Sequence, residues 1–337
     1  MTVIVTGATG FLGGRYAVSA ISRGEKVIAV GRNRANLEKL EKSGATTIRC
    51  DLAVGFDAQA IETIKDIDQD DPIDCIVHSA ALSSPFGSLS SFKAANIDAT
   101  RNVCALAKCL PQARIINIST PAIYAEPRDR LSVCENDPLP KPINHYAATK
   151  RAAEIVVHET LGERAISLRP RGIYGAGDNA LLPRLLSTAE SGPLPLLRGG
   201  AAHTDITHVE DVIRAIDAAR QATSDACGRA YNISGGQALQ ITEVIKAAAA
   251  RSGTELKWRR LPVRLLLSAS RLMEAWAALG GWKSEPLATP YSVGVLAFTQ
   301  TLDITAAKTS LQWAPQVTFE EGVIEAFSGR DPWSTAQ

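Results

Sequence analysis

Two side chains at helical spacing carry the sharpest chemical signal in this sequence. Tyr146 and Lys150 stand four residues apart in Asn144-His145-Tyr146-Ala147-Ala148-Thr149-Lys150, with Pro142 just before the stretch and Ala152, Ala153 and Glu154 continuing it as a helix. Residues i and i+4 share one helix face, which puts an ammonium beside a phenol. A cation there stabilises phenolate and draws a reference pKa of ~10 toward working pH. Such a phenol can give a proton to a ketone oxygen or take one from an alcohol. Upstream, Arg114 to Ile118 reads as an apolar strand that delivers two hydroxyls, Ser119 and Thr120, at its end. Taken singly, these features have plainer readings, a surface i,i+4 pair and two turn formers. Their value depends on what positions them.

The positioning elements begin at the first residue. Met1 to Gly14, MTVIVTGATGFLGG, joins the apolar run Val3, Ile4, Val5 to a glycine-punctuated turn and then a helix. Gly7 permits the turn, Gly10 lets backbone approach a pyrophosphate, and Gly13 lets helix and strand pack closely. Backbone N–H groups at the helix start face the anion. Tyr16 to Arg23 continues that helix, Gly24 ends it, and Lys26 to Val30 supplies a second strand. An NAD site normally carries an acid at the end of this second strand, about twenty residues beyond the glycines, to bond the adenosine ribose. The residues here are Gly31, Arg32, Asn33 and Arg34. A guanidinium pairs with a 2′-phosphate, so the expected cofactor is NADP(H), with NAD(H) the alternative. Arg32 is the first candidate and Arg34 the second; the competing reading is two solvated loop arginines.

Strands expected at Thr46–Arg49, Cys75–Val77, Arg114–Ile118 and Ile166–Arg169 alternate with helical stretches such as Ala58 to Ile67, followed by an acidic turn from Asp66 to Pro72. The pattern predicts an α/β protein with a doubly wound parallel sheet of Rossmann type. A smaller substrate region toward the C-terminus is expected to interweave with it, because no linker, repeat or low-complexity segment separates the halves.

In order along the chain, these motifs resemble the extended branch of the short-chain dehydrogenase/reductase superfamily. The carriers are Gly7-x-x-Gly10-x-x-Gly13, Asp51-Leu52, His78-Ser79-Ala80-Ala81-Leu82, the Asn96 to Val103 string (with Ala99 in place of the usual glycine), Tyr146-x-x-x-Lys150, and Leu168-Arg169-Pro170 running to Gly177-Asp178. Ser119-Thr120-Pro121, His145 to Lys150, and Leu168-Arg169-Pro170-Arg171 through Leu185 narrow the resemblance to its 3β-hydroxysteroid dehydrogenase-like group, close to bacterial 2-alkyl-3-oxoalkanoate reductases. The resemblance implies catalytic roles for Tyr146, Lys150 and Asn96, the last supporting the lysine through water. Aligning Tyr124 with the family's Tyr-Gly puts Thr120 at the catalytic hydroxyl, with Ser119 kept as the alternative. It further implies cofactor contacts at Gly7, Thr9, Gly10, Phe11, Leu12, Gly13, Asp51, Leu52, Ser79, Ala80, Ala81, Ile118, Tyr146, Lys150, Pro170, Arg171 and Ile173. Asp51 could equally cap a helix. His78 reads as a core histidine. Residues 1–170, with a returning segment near 205–222, would form the NADP(H) domain, 171–330 mainly the substrate region, and 331–337 a loose tail. Family precedent implies a homodimer built through the helix that carries Tyr146 and Lys150.

Where related nucleotide-sugar epimerases place a diphosphate-binding arginine, this chain has Thr204, in His203-Thr204-Asp205-Ile206-Thr207-His208. A threonine supplies no cation, which argues against a nucleotide sugar. His203 and His208 read as polar packing. Leu261 to Trp282 is the most apolar long segment, but Arg264, Arg271 and Glu274 interrupt it, so a spanning helix is excluded. It suits a helix over an apolar pocket, a dimer contact, a peripheral membrane contact or plain core. The full chain has 337 residues, 45% of them hydrophobic, and a net charge of +1. That composition supports a large core and shows no bias toward nucleic acid or acidic lipid. Six cysteines, without C-x-x-C spacing or companion histidines, read as free thiols rather than metal ligands. With the first strand at Val3 there is no room for a leader within this chain, and a cytoplasmic setting is expected. The expected activity is hydride transfer between NADP(H) and a hydrophobic ketone or secondary alcohol. The alternatives are sugar epimerisation or dehydration, and a non-catalytic NADP(H) sensor.

Overall fold

The computed structural model describes residues 1–282, 285–329 and 333. Seven parallel strands form the main sheet: β1 Thr2–Thr6, β2 Lys26–Gly31, β3 Thr46–Arg49, β4 Ile73–His78, β5 Arg114–Ile118, β6 Ala165–Pro170 and β7 Arg229–Ile233. Their order is β7-β6-β5-β4-β1-β2-β3, with register running from Val3 opposite Val27 on one side of β1 to Val3 opposite Cys75 on the other. The chain reverses its winding direction beside β1. In an open parallel sheet that switch point, at the carboxyl ends of the strands, is where a ligand crevice forms. Both faces of the sheet are covered, so the central strands are apolar throughout instead of alternating. All five residues of β1 and all six of β6 are buried.

Helices α1 Phe11–Ser22, α2 Arg34–Lys42, α3 Ala58–Asp70, α4 Ala99–Cys109, α5 His145–Leu161 and α6 Val209–Gln221 flank the sheet. Their starts are fixed locally by capping side chains, each satisfying an otherwise orphaned N–H. Asn33 accepts from Asn36 N, Asp57 from Ala60 N, and Asn144 from Ala147 N. The helix following β3 is therefore capped by Asp57, while Asp51 only holds Ala53 N in a turn at 3.1 Å. The acidic segment expected to turn after Ile67 instead continues α3 through Asp70, because its charged face is solvated and costs the helix nothing.

The returning segment is larger than the sequence suggested. Val209, Val212, Ile213, Ile216 and Ala219 of α6 pack in the same core as Val3 and Val5, and β7 adds the seventh strand beside β6. Trp313 and Leu311 also enter this core. Trp333, within the expected tail, lies beneath the Lys39 ammonium at 5.7 Å; the other residues of 331–337 lie outside the described residues.

The smaller half is built from short pieces. A second sheet orders Leu239–Gln240, His203–Thr204, Gln300–Leu302 and Arg130–Val133. Above it, α7 Val263–Leu279 packs one face on the helix Pro290–Ala297, through Val263, Leu266 and Leu267 against Val293 and Ala297. The opposite face carries Leu265, Leu272, Trp276 and Leu279 exposed, so core packing accounts for the inner face of this segment alone.

Candidate active site

The glycine turn has the geometry of an anion cradle. Gly7 has φ +71°, and a Cβ added there would stand 2.6 Å from Ala80 N. At Gly13 an added Cβ would stand 2.4 Å from the Gly7 carbonyl oxygen and 2.5 Å from Ser79 Oγ. Both positions therefore require glycine, one by conformation and contact, the other by contact alone. Gly10 forms the N-cap of α1 with no side chain over it, and the first turn of α1 carries no acidic residue. The free N–H groups and positive dipole end suit a pyrophosphate. Ser79 Oγ donates to Thr6 O at 2.7 Å, which ties the end of β4 to the end of β1 across the crevice. Asn36, which the sequence did not single out, donates to Thr9 O at 3.0 Å and fixes the outer side of the cradle. Its signal was hidden, since a polar residue three after an N-cap looks like helix surface. The residues present fit a dinucleotide.

At the adenosine end, Arg32 and Arg34 differ. Arg34 Nε donates to Glu38 along its own helix at 2.9 Å, whereas Arg32 closes β2 and its guanidinium stands 4.0 Å from Asp51. Both arginines are largely exposed, as is Asp51. Leu52 is buried and its carbonyl accepts from Asn102 Nδ2 at 2.8 Å.

Thr120 and Tyr146 meet although 26 positions separate them in the chain. Burial pushes the Tyr146 phenol up from its ordinary value, and two hydroxyls close to it, Ser83 and Thr120, pull the other way. Ser119 instead faces Glu154, whose carboxylate is held below its usual range chiefly by Arg169, against the opposing effect of burial. The two adjacent hydroxyls thus lie near different neighbours, Thr120 at the phenol and Ser119 on the Glu154 side. Thr120 also accepts from Ala122 N at 3.2 Å, which fixes its rotamer. Ser83 escaped the sequence reading because it lies in an irregular loop past β4 with no periodicity to mark it.

Lys150 is buried and its Nζ donates to Ile118 O at 2.6 Å. Burial lowers its pKa to about 8. In the chain alone, then, desolvation dominates both side chains, and what lowers the Tyr146 phenol is hydrogen bonding to Ser83 and Thr120, not the Lys150 ammonium. Asn96 sits in a π-helical turn, Lys93–Asp98, that leads into α4. Its Oδ1 accepts from Leu82 N at 2.7 Å and its Nδ2 donates to Thr149 Oγ1 at 3.1 Å. Its tie to the lysine-bearing helix runs through Thr149. His78 bonds Thr6 and Thr100 through its two ring nitrogens, and burial lowers its pKa to about 3, so it stays neutral in the core.

Beyond β6 the chain enters the smaller half. Pro170 pairs with Ile233 in the sheet, and Ile173 with Thr207 in a short two-stranded extension. Arg171 sends its side chain into the second sheet, with Nε donating to Thr204 Oγ1 at 3.2 Å and Nη1 bonded to Gln300 Oε1. Thr204 itself supplies no cation, as expected, but the Arg171 guanidinium reaches it from another strand end. His208 bonds Glu325 at 3.1 Å and stacks edgewise on Tyr174, and His203 bonds Ala201 O. No cluster of His, Cys, Asp or Glu among the described residues could hold a metal ion. None of the helices among the described residues is long and apolar enough to cross a membrane. Past the end of α7, Trp282 packs on His145 and Phe86, the former adjacent to Tyr146.

Residues 3–234 match the NAD dependent epimerase/dehydratase family. This chain belongs to that family. It is 31% identical over 332 residues to the uncharacterized protein YbjS of Escherichia coli K12, covering 96% of each chain. It is 29% identical to a 2-alkyl-3-oxoalkanoate reductase of Stenotrophomonas maltophilia, covering 96% of this chain and 97% of that one. A farnesyl-dihydroquinoline-oxide ketoreductase of Stigmatella aurantiaca is 30% identical, over 96% and 95% of the two chains. Among solved structures, UDP-glucuronic acid 4-epimerase of Bacillus cereus in complex with NAD superposes with a TM-score of 0.73 at 23% identity, over 98% of each chain, a likeness of fold. The family member described here is accordingly an NAD(P)-dependent enzyme of the extended short-chain dehydrogenase/reductase type.

Proposed function

We propose that this enzyme is an NADP(H)-preferring ketoreductase and alcohol dehydrogenase acting on a hydrophobic substrate, either sterol-like or a long-chain β-keto compound. The observation that carries the reading is the meeting of Tyr146 with Thr120 at the end of β5, with Lys150 on the same helix face behind them. Tyr146 gives its proton to the ketone oxygen during reduction and takes it back in the reverse direction. Thr120 donates a hydrogen bond to that oxygen as negative charge develops on it. Ser83 lies at the same phenol and holds it in place. Lys150, anchored on Ile118 O, is placed to bond the nicotinamide ribose. Bound in the crevice, the nicotinamide supplies or accepts the hydride. Arg32, less committed than Arg34, would meet a 2′-phosphate.

An apolar substrate is supported by relatives that reduce 2-alkyl-3-oxoalkanoates or a farnesylated quinoline oxide. The exposed leucines and Trp276 of α7 stand on the helix whose far end packs at His145, which suits a cover over an apolar pocket. A homodimer through α5, where Ile155 is exposed, and a cytoplasmic setting complete the reading.

The test is consumption of NADPH, and separately NADH, against 3-ketosteroids, long-chain β-keto acids and UDP-sugars. Turnover of an apolar ketone with NADPH is expected, while turnover of only a UDP-sugar would replace the reading with epimerisation. Tyr146→Phe should lower kcat by roughly 10²- to 10⁴-fold while NADPH affinity holds; turnover near the wild-type rate would remove Tyr146 from the mechanism.

A further inference from the structure

A small cleft opens between the two halves, lined by Tyr124, Arg128, Arg130, Arg171, Tyr291 and Gln300 among others. Its three arginines are not equivalent. Arg128 lies 2.8 Å from Glu126, and Arg130 lies 3.1 Å from Asp137, so each of these two has a carboxylate of its own. Arg171 is only 7% exposed, and its direct hydrogen-bond partners are the neutral Thr204 and Gln300. No carboxylate of the described residues lies within ion-pair distance of it. The nearest influence of that kind, Asp205, spends one oxygen on Leu302 N at 2.7 Å and reaches Arg171 only through space. A buried cation with no carboxylate bonded to it is costly, and part of the cost is recovered when an anion arrives.

The location ties this cation to the reacting centre. Tyr291 is close enough to interact electrostatically with both the Tyr146 phenol and the Arg171 guanidinium, and it lines the cleft. From the other side, the Gln300 amide that accepts from Arg171 donates to Pro121 O at 3.5 Å, the carbonyl next to Thr120. Gln300 thus ties Arg171 to the residue after Thr120, and Tyr291 stands within electrostatic reach of both Arg171 and Tyr146. An anionic group that reaches Arg171 while the ketone meets Tyr146 must lie close to that ketone within the substrate. In a β-keto acid the carboxyl carbon is two bonds from the carbonyl carbon. The phosphates of a long thioester carrier lie far from it.

Building on the function proposed above, we propose that Arg171, with Tyr291 beside it, forms a carboxylate subsite that selects free β-keto or β-hydroxy acids over their esters, thioesters and neutral ketones. A guanidinium offers two parallel N–H donors to a carboxylate, and a site built for such a partner rejects analogues that leave it unpaired. Arg171 is then a specificity-determining residue, and the apolar chain of the substrate extends away from it.

The experiment follows the oxidation of a long-chain 2-alkyl-3-hydroxy acid and of its methyl ester with NADP⁺, which avoids the instability of free β-keto acids. The wild type should favour the acid in kcat/KM by roughly 10- to 100-fold, the worth of one charge-assisted hydrogen-bonded contact. Arg171→Gln should collapse the acid-to-ester ratio toward one, and Arg171→Lys should restore part of it. A wild-type ratio near one, or a variant that loses both substrates in proportion, overturns the subsite and leaves the ketoreductase reading standing. If neither substrate turns over although NADP⁺ binds, the proposed function fails. Calorimetric titration of the NADP⁺-loaded protein with the acid then decides the subsite by itself: binding that Arg171→Gln abolishes supports it, and no binding to the wild type overturns it. Thermal melting of each variant separates misfolding from loss of recognition.

Discussion

The two halves of the molecule are held together by different kinds of contact. In the cofactor half, the site-forming bonds engage backbone at the ends of adjacent strands and helices: Lys150 to Ile118 O, Ser79 to Thr6 O, Asn144 to Ala147 N. The strands are parallel, and β1 and β6 are buried throughout, so their placement follows from their own apolar residues. In the substrate half the paired strands are two to four residues long, and side chains from remote parts of the chain tie them. Arg171 reaches Gln300, Asp205 holds Leu302 N, and Arg198 pairs with Asp129 at 2.6 Å. In both halves the bonded partners lie far apart in sequence, 73 residues for Ser79 and Thr6 and 69 for Arg198 and Asp129, but the first half is framed by buried parallel strands and the second by short strands tied through side chains. Close packing of backbone leaves the first little freedom to vary, whereas the second can exchange side chains and change its substrate on a constant frame.

The largest effect should come from filling the cradle. Gly13→Val places methyl groups where even a Cβ would lie 2.4 Å from the Gly7 carbonyl, so helix and turn must separate. Stability should fall by about 1–3 kcal/mol as overpacking does elsewhere, and NADPH binding, followed by fluorescence titration, should vanish. If the valine variant binds NADPH normally, the cofactor half is more plastic than the comparison holds. A smaller effect is expected at its rim. Arg32→Glu should cut the preference for NADPH over NADH in Kd by roughly 10- to 100-fold, the loss of one charge-assisted contact made worse by repulsion. Equal affinity of the wild type for both cofactors would assign Arg32 to the solvated surface.

The same division explains what could be read beforehand. The main sheet through β6 was legible because each strand is a short apolar run followed by turn chemistry, and the residue order Gly7, Thr120, Tyr146, Lys150 sets a recognisable site on it. β7 was missed, since Arg229-Ala230-Tyr231-Asn232-Ile233 is interrupted by polar residues. Asn232 sits in the core only because Tyr124 OH and the carbonyls of Val133 and Asp303 satisfy its amide. Ser83 left no trace in periodicity because it lies in a loop past β4, and Tyr291 because it stands in the first turn of a short helix whose place near Tyr146 is set by tertiary packing. The guanidinium beside Thr204 was hidden for a related reason: the position itself holds no cation, and Arg171 comes to it from 33 residues earlier.

The smallest effect on stability, and the one that tests the substrate half most directly, is expected on α7. Its inner face is spent on Val293 and Ala297, next to the helix turn that presents Tyr291. On its outer face Leu272 and Trp276 are 64% and 75% exposed. Removing exposed apolar side chains forfeits little burial, so Leu272→Ser with Trp276→Ser should change the unfolding free energy by no more than about 0.5 kcal/mol. Apolar surface kept at this exposure costs solubility and is retained where it meets something apolar. If α7 covers a long-chain substrate, the double variant should raise KM several-fold for long-chain ketones and leave a short-chain ketone unaffected, at constant kcat. Equal KM changes for both chain lengths would remove α7 from the pocket. A stability loss of several kcal/mol would instead place these side chains in the packed interior, and the substrate half would prove as tightly specified as the sheet beneath it.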